Sequence, residues 1–304
     1  MKWITARRRH PLAGYAVVLL ALALFGVGYA AFVPNADRAQ AQSQAADVND
    51  DVDISEGREI YIASCMSCHG DDGLGYESNE DLSGPSLEGV GAAAVNFQVS
   101  TGRMPSMDPD TQMPRKDPAW DQQQTANLAA YVQAEFGGGP EIPLDVPGEA
   151  PDPALFDSDA EYEAAVDAYE DAYSAYVAGG DIDAGQTLYL TNCAHCHSWS
   201  GGGGALTDGH IAPPLTESTP RQIYEAMLTG PGYMPVFNDE TLEPQEKQDL
   251  ITHVKELQME PNAGGIFDLN RVGQTAEGYM SWVVGLALIV AAAAWITAKQ
   301  RAHD

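Results

Sequence analysis

The sequence predicts a mainly α-helical protein: two tandem copies of one small helical domain, set between N-terminal and C-terminal transmembrane helices. Three observations carry the prediction. The phrase Cys-x-x-Cys-His occurs twice, as Cys65-Met66-Ser67-Cys68-His69 and as Cys193-Ala194-His195-Cys196-His197. A longer repeat surrounds each phrase. Two long apolar runs without charge lie near the ends of the chain.

Cys-x-x-Cys-His is the attachment signature of c-type haem. Two thiols three positions apart share one helical turn and can add across the two vinyl groups of a single porphyrin. The histidine that follows sits under the iron as its proximal ligand. All four cysteines of the chain lie in the two phrases, so none remains for a structural disulfide or a thiol nucleophile. A bare Cys-x-x-Cys also suits a zinc knuckle or a redox dithiol. The histidine directly after the second cysteine, seen twice, favours haem. Two covalently bound haem c groups are therefore expected, one on Cys65 and Cys68 with His69, the other on Cys193 and Cys196 with His197.

Internal repeats decide architecture before any local signal does. Gly57, Tyr61 and Cys65 fall at the same spacings as Gly185, Tyr189 and Cys193. Gly84-Pro85-Ser86-Leu87 matches Ala212-Pro213-Pro214-Leu215 in that register, and Thr101-Gly102 matches Thr229-Gly230. The register then slips, with two extra residues before Met234-Pro235 relative to Met104-Pro105. Each copy closes with a helical stretch, Thr125 to Glu135 in the first and Pro244 to Leu257 in the second. A unit of about eighty residues buries little surface on its own. A covalently held, largely apolar porphyrin would supply the missing core.

Each copy resembles a class I cytochrome c domain. The shared features are a helix with a glycine leading into Cys-x-x-Cys-His, a Pro-x-Leu loop, a Met-Pro loop after a glycine, and a closing helix. That family uses the methionine as distal axial ligand. The resemblance thus implies the ligand pairs His69 with Met104 and His197 with Met234. A soft thioether raises the potential and leaves no open site for oxygen. In the first copy Met107 and Met113 are alternatives to Met104. In the second, Met227 shares a helical pattern with Ile223 and reads as core.

In chain order, residues 1–11 are a basic tail carrying Lys2, Arg7, Arg8 and Arg9. Residues 12–33 form an uncharged apolar run, read as a transmembrane helix or signal anchor. A cleaved signal peptide is the alternative, with Ala39-Gln40-Ala41 as a cleavage-like site, but the run exceeds a signal core of about 7–15 residues. Residues 34–53 read as a flexible tether. The first haem domain spans 54–137 and includes an acidic loop from Gly70 to Ser83. A proline-rich linker and an acidic helix occupy 138–180. The helix, Asp159 to Val177, places Tyr162, Val166, Tyr169 and Tyr173 at spacings of three and four. It is read either as a spacer packing on the second domain or as a docking helix for a partner subunit.

The second haem domain spans 181–260. Its phrase is followed by Gly201 to Gly204, and His210 is a spare histidine that could compete with Met234. His253 lies on the closing helix. Residues 261–278 are a connector. Residues 279–298 are apolar, with Trp282 and Trp295 near the two ends, and the tail 299–304 carries Lys299 and Arg301. This pattern predicts a transmembrane helix with a positive inner end. Both termini are then cytoplasmic, and both haem domains lie on the exoplasmic side of a plasma membrane that the chain crosses twice.

The formal net charge is -29 over 304 residues. With the basic tails set aside, the exported part is more acidic still. Nucleic acid is excluded as a partner. The acidity suits solubility or a salt-rich habitat, or else docking to a partner with basic patches, which speeds encounter more than it tightens binding. No Ser/His/Asp set, P-loop, nucleotide fingerprint or paired-carboxylate motif is present. No catalytic residue is assigned. Six-coordinate irons move single electrons and bind no substrate.

The whole layout resembles the dihaem cytochrome c subunit of the actinobacterial cytochrome bcc complex, a menaquinol:cytochrome c reductase. The resemblance implies that cytochrome b and a Rieske iron–sulfur subunit are partners. It also implies electron transfer to the subunit II copper centre of a haem–copper oxidase. The chain would then be the electron-transfer subunit of a translocase, with no substrate chemistry of its own. Three alternatives remain. One is the dihaem subunit of another oxidase, such as a cbb-type enzyme, which the C-terminal anchor disfavours. Another is a dihaem enzyme, a peroxidase or thiosulfate dehydrogenase, which would need a labile or non-methionine ligand at one iron. The third is an assembly scaffold whose haems are only structural.

Overall fold

Four helices from the first repeat wrap around the first Cys-x-x-Cys-His phrase. The fold is that of a computed structural model, which describes residues 52–76, 84–106, 111–260 and 274–301. The expected N-terminal membrane helix at 12–33 and the second half of the acidic loop fall outside the described residues. Helix α1 (Ile54–Ser64) starts where the Asp53 carboxylate accepts the N–H groups of Ser55 and Glu56. A single turn, α2 (Met66–His69), carries the phrase. Helix α3 (Gly91–Ser100) follows, then α4 (Gln122–Phe136). Asp121 and Gln124 form a reciprocal capping box, so α4 begins ahead of the expected Thr125.

Helices α1 and α4 cross in backbone contact. A Cβ on Gly57 would lie 2.0 Å from the carbonyl oxygen of Asn127, so only glycine allows this approach. The Asp53 N–H donates to Asn127 Oδ1 at 2.9 Å. Tyr61 is buried beneath the crossing, its ring 5.4 Å from those of Tyr131 and Phe136. Val99, Leu128 and Val132 complete this first core.

The proline-rich segment that follows is not a free spacer. Val146 is buried in the core of the second helix group. Arg221 holds the segment by donating Nε–H to Val146 O at 2.9 Å and its backbone N–H to Pro147 O at 2.9 Å. The acidic helix α5 (Asp159–Ala178) is N-capped by Ser158. Its C-terminal end docks on the second group. Gln248 Nε2 donates to Tyr176 O at 2.7 Å and Thr252 Oγ1 to Val177 O at 3.2 Å. Tyr176 packs against the second core. This end of α5 therefore acts as a spacer fastened to its neighbour, while its acidic side chains face solvent.

The second group repeats the first. Helix α6 (Ile182–Asn192) is capped by Asp181 and leads into the turn α7 (Ala194–His197). A two-residue antiparallel pair, β1 (Gly204–Ala205) and β2 (Ile211–Ala212), comes next. Helices α8 (Pro220–Thr229) and α9 (Pro244–Met259) complete the group. The crossing of α6 and α9 copies that of α1 and α4. A Cβ on Gly185 would lie 1.9 Å from Asp249 O, and Asp181 N–H donates to Asp249 Oδ1 at 2.9 Å. Tyr189 is fully buried there, 5.5 Å ring to ring from His253, which is a core residue.

Helix α10 (Gln274–Arg301) ends the described chain. Among the described residues, Gly278–Ala298 is the stretch long and apolar enough to cross a membrane. Its large side chains, Trp282 and Ile289 among them, are exposed, a surface that water would penalise and hydrocarbon would not.

The two groups meet where α3 packs on α8. Asn96 Nδ2 donates to Glu225 Oε1 at 2.8 Å across this junction. Glu225 is fully buried, and its Oε2 has no hydrogen-bond partner among the described residues. Burial pushes its carboxyl well above the usual range; Asn96 and Arg221 oppose the shift and Glu149 reinforces it. An acid whose folded pKa is raised gives full stability below its unfolded pKa, and stability is lost as pH rises toward the folded value. Glu225→Gln should abolish that loss. Thermal unfolding from pH 5 to pH 8 should then show a smaller fall in Tm for the variant than for the parent; parallel profiles would contradict the assignment.

Candidate functional site

Both Cys-x-x-Cys-His phrases open into one cavity of about 840 Å³ between the helix groups. This is toward the upper end of the ~300–1,000 Å³ range for small-molecule sites. Cys65, Cys68 and His69 line it from one side of the repeat, and Cys193, Cys196 and His197 from the other.

The two phrases are held by the same bonds. Cys65 N–H donates to Tyr61 O at 2.8 Å, and His69 N–H to Cys65 O at 3.0 Å. Cys193 and His197 repeat these at 2.8 and 2.9 Å. The Tyr61 hydroxyl donates to Gly70 O at 2.6 Å, and the Tyr189 hydroxyl to Ser198 O at 2.6 Å. Each buried tyrosine thus ties the residue after the histidine back to the leading helix.

Each imidazole is aimed by the Pro-x-Leu loop. His69 Nδ1 lies 2.8 Å from Pro85 O, and His197 Nδ1 lies 2.9 Å from Pro213 O. A carbonyl only accepts, so Nδ1 carries the proton and Nε2 keeps its lone pair. The loops are themselves clamped: Leu87 N–H donates to Gly73 O at 2.7 Å and Leu215 N–H to Gly201 O at 2.8 Å. Burial lowers the pKa of His197, which favours its neutral form.

Cys65 and Cys193 are not activated thiolates. Burial, with the neighbouring cysteine as a lesser cause, pushes Cys65 up to about 11 and Cys193 up to about 12. A redox or nucleophilic thiol is shifted the other way. All four cysteines are free of disulfide bonds. Among the described residues no three His, Cys, Asp or Glu side chains converge as a metal cluster, so a zinc knuckle finds no ligand set. Paired thiols on one turn, a neutral histidine with Nε2 available and a large cavity fit haem c.

Met104 and Met234 line the same cavity. Their backbones are fixed by bonds from Met104 N–H to Gln98 O at 3.0 Å and from Met234 N–H to Pro231 O at 3.2 Å. Met113 lines it too, so the cavity admits both first-copy candidates; Met107 lies outside the described residues. Met227 is 1% exposed and belongs to the second core. The His210 ring stacks on Tyr233 at 4.0 Å and is not part of the cavity wall. Three contributors had no signal in the repeat. Arg103 and Arg115 line the cavity, and Gln112 exchanges two hydrogen bonds with the backbone of Ile211, at 2.6 and 2.9 Å. All three sit where the copies lose register, so no spacing announces them.

The model of the family described as cytochrome c oxidase, cbb3-type, subunit III matches the chain twice, at residues 52–132 and 180–254. Relatives match nearly end to end. The chain is 37% identical over 298 residues to the cytochrome bc1 complex cytochrome c subunit of Corynebacterium diphtheriae, covering 98% of each chain. It is 36% identical over 291 residues to that of Corynebacterium efficiens, covering 96% of this chain and 90% of the relative. The corresponding subunit of Mycobacterium bovis is 36% identical over 293 residues, with 96% and 93% covered.

Removing either tyrosine hydroxyl leaves a carbonyl beside the site without its partner. Tyr61→Phe and Tyr189→Phe should each lower the unfolding free energy by about 1 kcal/mol. With no shared partner the effects should add. The shift of the guanidinium midpoint of the detergent-solubilised protein measures this; an unchanged midpoint would show that the two bonds add nothing.

Proposed function

Because the chain belongs to the family of cytochrome c subunits of the cytochrome bc1 complex, we propose that it relays single electrons from the quinol-oxidising core of that complex to a terminal haem–copper oxidase. The observation that carries this reading is that both attachment phrases face a single cavity. Two haem c groups held there would lie in series, without a protein layer between the sites.

In this reading Cys65 and Cys68 would anchor the first haem, and Cys193 and Cys196 the second. His69 and His197, each oriented by its Nδ1–H bond to a proline carbonyl, would offer Nε2 to the irons. Met104 and Met234 would supply the thioether ligands. Haem c supplies reversible one-electron chemistry when bound. The chain contributes orientation, exclusion of exogenous ligands and a raised potential, since a thioether favours the ferrous state. It performs no substrate chemistry of its own and acts as the electron-transfer subunit of a quinol:cytochrome c reductase.

Helix α10 anchors the chain, with its haem sites on the exoplasmic side and the terminus after Lys299 and Arg301 in the cytoplasm. A second anchor at 12–33 would place the N-terminus there as well. Tethering keeps the haems at high effective concentration beside cytochrome b, the Rieske protein and the subunit II copper centre of the oxidase. The acidic exterior suits basic docking patches on these partners. A dihaem peroxidase or thiosulfate dehydrogenase would instead need one open iron.

Met234→Ala separates the readings. The relay predicts that the variant retains covalent haem, gains carbon monoxide binding and loses quinol-driven oxygen uptake in membranes. Each ~59 mV fall in potential shifts the one-electron equilibrium about tenfold. Carbon monoxide binding by the unaltered ferrous protein would contradict the relay and favour the enzyme reading.

A further inference from the structure

The cavity wall carries a charge opposite to that of the chain. The protein holds 44 Asp and Glu residues against 15 Lys and Arg. Yet among the described residues no Asp or Glu side chain lines the cavity, while Arg103 and Arg115 both do. The other described titratable groups on its wall are histidines, tyrosines and cysteines.

Neither guanidinium is neutralised by an ion pair with a described residue; the one salt bridge among them is Lys247 with Asp239. Arg103 Nη1 is buried and has no hydrogen-bond partner among the described residues. Its Cζ sits over the Phe97 ring, 5.1 Å from the centroid, which packs the group without satisfying its donors. Arg115 donates Nη2–H to Gln222 Oε1, a buried residue of α8 in the second helix group. Burial, with Arg115 as the second cause, brings the Arg103 pKa down to about 10. Burial also lowers that of Arg115, opposed by Glu217 and Glu149. Two cations felt by each other, half withdrawn from water, are costly unless an anion joins them.

We propose that Arg103 and Arg115 form a carboxylate-binding site at the junction of the two helix groups, which seats haem propionates. The assignment rests on the haem reading of the cavity and adds to it the residues that hold the far edge of the ring. Each haem brings two carboxylates, and a guanidinium fork matches a carboxylate in geometry as well as in charge. Arg103 immediately precedes Met104, so it belongs to the distal loop of the first site. Arg115 comes from the first repeat but is bonded to the second. The pair therefore links the charge state of one site to the other. A cation beside the ring also favours the reduced iron, whose complex carries one positive charge fewer.

The test uses the full chain in its purified complex, with Arg103→Gln, Arg115→Gln and the corresponding Arg→Lys variants. Covalent haem per chain is counted first, and the midpoint potentials are then titrated from pH 5 to pH 9. Loss of either cation should lower a midpoint potential. It should also move the propionate-linked bend of the potential–pH curve to higher pH, because a carboxylate without its cation protonates more readily. The Lys variants should recover most of both shifts. Gln variants that lose haem while Lys variants keep it would support the site equally. Unchanged potentials and pH curves, or Lys variants altered as far as the Gln variants, would overturn it. Absence of covalent haem from the parent chain would instead remove the underlying reading.

Discussion

One hydrogen bond, made twice, positions everything the chain can do: an imidazole N–H donated to a proline carbonyl. His69 pairs with Pro85 and His197 with Pro213 at nearly equal lengths. The bond fixes the tautomer and leaves the other ring nitrogen with a free lone pair, the one that the proposed function gives to an iron. It holds only because the Pro-x-Leu loop is clamped to the turn after the histidine. That turn is held in its place by a buried tyrosine hydroxyl. The tyrosine is buried in turn because a glycine lets two helix backbones touch. Sequence, crossing, turn and ligand geometry thus form one chain of dependence, present in both copies.

The parts of this arrangement that repeat were legible from the residues alone. Gly57 and Gly185, Tyr61 and Tyr189, and the prolines after each phrase fall at equal spacings because they make equal contacts. The acidic helix was legible from its period, and it runs over Asp159–Ala178. The parts that do not repeat were not legible. Val146 reads as one more residue of an extended proline-rich stretch, yet it is buried in a core formed about forty residues and more along the chain. Asn96 and Glu225 meet across 129 positions, and Gln112 and Ile211 across 99. Contacts of that range leave no local pattern. The register slip before Met234 marked the region where such contacts concentrate, without saying what they were.

Charge is distributed with a purpose that composition conceals. In a chain of net charge -29, the described wall of the cavity carries two arginines and no carboxylate. In the proposed reading the acidic exterior serves encounter with partners, and the interior arginines face an anionic, ring-shaped ligand. Glu225 is a buried exception, and it sits at the α3–α8 junction away from the cavity wall, where burial favours its neutral form.

A protein of this design is a holder of redox groups, and the number it holds is the account's central claim. Covalent haem per polypeptide, measured by pyridine haemochrome on the purified full-length chain after denaturation, tests that claim most directly. Two c-type haems that stay attached to the unfolded chain are expected. One haem or none would contradict the account.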